Sequence, residues 1–106
     1  MLRLTIRRAP RYNPNVIASF KHKGLKEIFE TGSSAKVDAK LIQRCNDRLQ
    51  VLDAASDLKD VNLPGYNLHP LHTKPIRESV HVNGPWCITF EWQAPNAIRV
   101  DLEQYH

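Results

Sequence analysis

Ten residues, LHPLHTKPIR at positions 68 to 77, gather two histidines, a lysine, an arginine and two prolines. Imidazole titrates near neutral pH, so His69 or His72 could move a proton while Lys74 and Arg77 neutralise a phosphate. The same residue types also admit a metal site or a polar loop without chemistry. The metal reading is the weakest: zinc wants three or four ligands, HxxH lacks the i, i+4 helical spacing, and Pro70 between the histidines argues against a helix. No metal and no cofactor are therefore expected. Residue types alone leave the other two readings open.

The elements that must hold this cluster can be read from periodicity. NVIASF suits a short first strand from Val16 onward, and HKGLKEIFETG puts Leu25, Ile28 and Phe29 on one helical face with Gly32 as its stop. Ser33 or Ser34 can cap a second helix in which Val37, Leu41, Cys45, Leu49 and Leu52 recur every three or four residues. Its other face, with Lys40, Arg44, Asp47 and Arg48, reads as solvated surface. Pro64-Gly65 then marks a sharp turn.

The last forty residues alternate as strands. Val80 and Val82 oppose Ser79 and His81 before an Asn83-Gly84 turn. Next, Trp86, Ile88, Phe90 and Trp92 share one face, with Cys87, Thr89 and Glu91 on the other. After QAPN, Ile98, Val100 and Leu102 point inward and Arg99, Asp101, Glu103 and Tyr105 outward. Two N-terminal helices on one face of a mainly antiparallel sheet make an α+β domain with an open second face.

At 106 residues the chain has room for one core. Residues 1–15 hold Arg3, Arg7, Arg8 and Arg11 and no acid, which accounts for the whole formal charge of +4. They read as a flexible basic extension, with the domain at residues 16–106, so any phosphate-binding surface must arise from local arrangement. No secretory signal and no apolar run of membrane length is present, which points to a cytoplasmic protein. Cys45 and Cys87 form no CxxC pair and read as free thiols.

Four stretches in order, FKHKGLKEIFETG, VNLPGYNLHPL, VNGPWCITFEW and the closing VDLEQYH, together resemble the HigB branch of the RelE/ParE superfamily of toxins from bacterial toxin–antitoxin pairs. The resemblance spans residues 16 to 106. It implies a RelE-like fold and a ribosome-dependent mRNA endonuclease that cuts in the ribosomal A site by metal-independent attack of a ribose 2′-hydroxyl. It also implies a helix–turn–helix, HigA-like antitoxin, with operator DNA reached only through that antitoxin, and no membrane role. His69 matches the family histidine of the LHxL stretch, His72 stands at a commonly basic position, and Tyr105-His106 match the closing aromatic and histidine. The catalytic set implied is His69, His72, Tyr105 and His106, with Lys74, Arg77 and Arg99 as candidates for binding RNA phosphate. One departure stands out: many relatives read Trp-Arg where this chain has Trp86-Cys87. Either Arg77 or Arg99 then supplies the missing charge, or cleavage is weakened and the protein acts by occupying a partner, as ParE-like toxins do.

Overall fold

The computed structural model describes residues 16–105; the arginine-rich extension and His106 lie outside the described residues. Helix α1 (Lys23–Thr31) and helix α2 (Ala39–Ala54) precede a short 3-10 helix at Leu58–Val61 and four strands, β1 (His69–Leu71), β2 (Arg77–Asn83), β3 (Trp86–Gln93) and β4 (Asn96–Gln104). The strands form one antiparallel sheet in the order β1-β2-β3-β4. The helices cover one face of it. No helix among the described residues is long and apolar enough to cross a membrane.

Helix ends follow local chemistry. The His22 ring accepts the Leu25 N–H at the start of α1, and Gly32, at φ +90°, closes it in the left-handed conformation. Helix α2 begins later than expected: Asp38, not Ser33 or Ser34, is its N-cap, accepting from the Lys40 N–H. Ser34 is instead engaged with Glu27, its hydroxyl donating at 2.6 Å. The expected solvated face of α2 also needs correction. Arg48 is buried, its Nε donating to the His81 carbonyl at 2.8 Å with its guanidinium stacked 4.3 Å from the Tyr66 ring centroid. It ties α2 to β2 through that strand's carbonyl.

The core is made by Leu25 and Ile28 of α1, Leu41, Cys45, Leu49 and Leu52 of α2, and Val80, Val82, Ile88, Phe90, Val100 and Leu102 of the sheet. Burial pushes the Cys45 thiol up to about 11, so it is a packing group. Two strand expectations change. Val16–Phe20 do not form a strand; they meet β4 through two isolated parallel bridges, Ile17 to Ala97 and Phe20 to Val100. Between those bridges β4 is interrupted by a bulge: Thr89 pairs with Asp101 but Glu91 with Ile98, leaving one extra residue on β4. That residue slips the parity, so Ala97 faces the core and Ile98 is only half-buried.

The bulge centres on Arg99, whose φ of +50° is a left-handed conformation costly for a side chain with a Cβ. Two contacts hold it there. Its N–H donates to Ser19 Oγ at 2.8 Å, and its carbonyl accepts from Arg77 Nη2, also at 2.8 Å. The strained backbone thus aims Arg99 at the open face beside Arg77.

Candidate active site on the open face of the sheet

Cross-strand register sets which side chains meet on the uncovered face. One row runs His69, Ser79, Thr89, Asp101, and the next His81, Cys87, Glu103. On this face lies a cleft of about 550 Å³ lined by Arg77, Arg99, Lys21, Glu91 and Glu103, with Thr73 and Tyr105 completing the wall.

Arg77 is the hub. Its Nη1 donates to Glu91 Oε2 at 3.1 Å, and its Nη2 donates to Thr89 Oγ1 at 3.0 Å and to the Arg99 carbonyl at 2.8 Å. Its own N–H donates to Thr73 Oγ1 at 2.9 Å, which ties the β1–β2 loop to the cleft. Glu91 Oε1 lies 3.7 Å from Arg99 Nη1. The Thr89 hydroxyl donates to Glu103 Oε2, and the Tyr105 hydroxyl donates to Glu103 Oε1 at 3.4 Å. A continuous polar chain therefore runs from β2 across β3 and β4 to the C-terminal tyrosine. Burial, and then the Glu103 carboxylate, push the Tyr105 phenol above its usual range, so it stays a proton donor at neutral pH.

Of the residues singled out from sequence, Arg77, Arg99 and Tyr105 meet in this cleft. His69 shares the open face but stands on edge strand β1, two strand spacings or ~10 Å from Thr89 on its row. Its Nδ1 lies 2.8 Å from the Asn67 carbonyl. A carbonyl can only accept, so that nitrogen carries a hydrogen, which fixes the tautomer whose Nε2 is the acceptor. His72 and Lys74 are exposed in the β1–β2 loop and do not line the cleft. His106 lies outside the described residues. Among the described residues, no three His, Cys, Asp or Glu side chains gather as a metal-ligand set.

Glu91, Thr89, Glu103 and Lys21 were not singled out. Strand alternation does place Thr89 and Glu91 opposite the tryptophans, and a carboxylate inside an otherwise apolar strand was the available signal. Ser79 was missed as well; it is buried between His69 and Thr89, and its hydroxyl has no hydrogen-bond partner among the described residues. Cys87 is a small, buried member of the row between His81 and Glu103.

A pair of helices on one face of a four-stranded antiparallel sheet is the plan of a RelE-like toxin. The description of HigB-like toxins, RelE-like toxins of type II toxin–antitoxin systems, matches residues 18–106, and the chain belongs to that family. It is 44% identical over 94 residues to the endoribonuclease HigB of Proteus vulgaris, an alignment covering 86% of this chain and 100% of that relative. As the toxin of a type II system, it has a protein antitoxin as its partner.

Proposed function

We propose that this toxin is an endoribonuclease that cleaves mRNA on the ribosome and so stops translation. The observation that carries the reading is the meeting of Arg77, Arg99 and Tyr105 in one cleft on the face that His69 shares. In the reaction, a base takes the 2′-hydroxyl proton, O2′ bonds to phosphorus, the P–O5′ bond breaks and O5′ takes up a proton, leaving a 2′,3′-cyclic phosphate and a 5′-hydroxyl. His69 is suited to the first step because its Nδ1 hydrogen is committed to Asn67, freeing Nε2 to accept. Tyr105, held protonated, donates toward the phosphate or the departing oxygen, with His106 beside it in the chain. Arg77 and Arg99 meet the negative charge that builds on the phosphate. His72 and Lys74, out on the β1–β2 loop, serve the flanking backbone.

On this reading the partners are a helix–turn–helix, HigA-like antitoxin and the ribosomal A site with its message, operator DNA is reached only through the antitoxin, and the setting is the cytoplasm. The test is purified protein on ribosomes carrying a defined A-site codon. His69→Ala and Tyr105→Phe are each expected to slow cleavage about 10²-fold or more while the folded far-UV signal persists. Intact message at excess wild-type protein would sink the nuclease reading.

A second reading, a ParE-like toxin that acts by occupying its target, follows from a departure that the family resemblance implies: Cys87 stands where many relatives are expected to carry an arginine. The cleft answers it in part, since two other guanidiniums already meet there. Cys87→Arg is therefore expected to raise cleavage only a few-fold, less than the ~10²–10³ associated with a missing transition-state donor. A hundredfold gain would mean the present cleft lacks the charge it needs.

A further inference from the structure

We infer that Glu91 is a positioning residue: it presets the guanidinium groups of Arg77 and Arg99 as one phosphate-binding pair, and it does so against the cleft's overall attraction for RNA. The inference rests on the nuclease reading above. A carboxylate in the middle of a cleft that must receive a phosphodiester is otherwise counterproductive, because it repels the substrate. Nor is it a surface accident, since its side chain is only 8% exposed.

The geometry resolves the conflict. Glu91 comes from β3, between the strands that carry the two arginines, and gives one oxygen to each: Oε2 to Arg77 at 3.1 Å and Oε1 to Arg99 at 3.7 Å. With Thr89 and the Arg99 carbonyl filling Nη2, Arg77 has three of its five N–H donors committed. The Nε–H and one Nη1–H remain for a ligand. Arg77 is thereby immobilised at 14% exposure, while Arg99, at 58%, keeps its head toward solvent on the same anchor. Without the carboxylate, two like-charged guanidiniums would repel and spread, and the substrate would have to order both itself. Glu91 thus lowers affinity for the polyanion while raising the fraction of bound substrate that is correctly held.

That division gives a signature a purely structural ion pair does not produce. In Glu91→Gln, kcat on programmed ribosomes is expected to fall about tenfold or more while KM stays level or decreases. Binding to a 2′-O-methyl oligoribonucleotide, which cannot be cleaved, should tighten a few-fold and become more salt-dependent. The Arg77 side-chain NMR resonances should lose their slow exchange and hindered rotation. If Glu91→Gln does not fold, Glu91→Asp, which keeps the charge but retracts it by one methylene, should show the same kcat loss with unchanged oligonucleotide affinity. Wild-type kcat and KM alongside a lowered melting temperature would overturn the inference, as would parallel losses of rate and affinity. If wild-type protein leaves ribosome-bound message intact, the nuclease reading fails by itself. Glu91 is then judged by the Arg77 resonances and oligonucleotide affinity, and no change in either would end its positioning role.

Discussion

Arg77→Ala is expected to reduce mRNA cleavage about 10²- to 10³-fold, the scale for removing one preorganised donor from a developing oxyanion. It is also expected to destabilise the domain by roughly 3 kcal/mol, because it leaves a nearly buried carboxylate short of its closest partner. Three contacts vanish together: Glu91 keeps only Arg99, at 3.7 Å, Thr89 loses a donor to its hydroxyl, and the Arg99 carbonyl loses the group that holds its left-handed backbone in place. Arg77→Lys separates charge from geometry. An ammonium keeps the charge but cannot span Glu91, Thr89 and the Arg99 carbonyl as a planar fork does, so stability should recover more than rate. Single-turnover cleavage and urea melts on the same preparations distinguish these outcomes. Full activity in Arg77→Ala would show that the phosphate is held elsewhere.

The contrast between Arg77 and Glu91 shows what the sequence made legible. Helices with a 3.6-residue apolar stripe and strands with strict alternation announce themselves, which is why α1, α2 and β2–β4 lie close to their expected places. The bulge at Arg99 has no such signal: it needs a non-glycine residue at positive φ, held by Ser19 80 positions earlier in the chain and by Arg77. Parity read straight through β4 therefore misplaces Ala97 and Ile98. Arg48 was misread for a related reason. An arginine on a helix looks solvated until the strand carbonyl and the tyrosine ring it caps are brought to it by the fold.

The site divides in the same way. Residue type and family motif pointed to His69, His72, Tyr105, His106, Lys74, Arg77 and Arg99; His106 lies outside the described residues, and Arg77, Arg99 and Tyr105 line the cleft. The acidic residues that contact them carry a weaker signal, Glu91 as a lone carboxylate in an apolar strand, and nothing in the sequence says which partners they meet. Only register reveals that Glu91 sits between two arginines and that Glu103 links Thr89 to Tyr105. The loop histidine and lysine drew attention by their density, yet His72 and Lys74 lie outside the cleft while plain Thr73 between them anchors it.

Phe90→Ala is expected to cost about 3–5 kcal/mol, enough to consume much of the roughly 5–15 kcal/mol that stabilises a domain of this size. Phe90 is fully buried and the largest such side chain, on the helix-covered face of β3. The loss should appear as a urea midpoint lowered by a molar unit or more, at an m-value of about 1–3 kcal/mol/M. Its consequence for the site follows from the strand itself: Thr89 and Glu91 flank Phe90 and point the other way, Glu91 into the cleft and Thr89 onto Arg77 and Glu103 that line it. A cavity beneath β3 lets that segment shift, and ~1 Å of misplacement at a preorganised site is worth about 10² in rate. Cleavage by Phe90→Ala, corrected for the folded fraction, should therefore fall well below wild type. Phe90→Leu, which refills most of the volume, should keep both stability and rate much closer to it. A destabilised Phe90→Ala whose folded molecules still cleave at the wild-type rate would show that Arg77, Thr89 and Glu91 are held by their own polar contacts and owe nothing to the core beneath them.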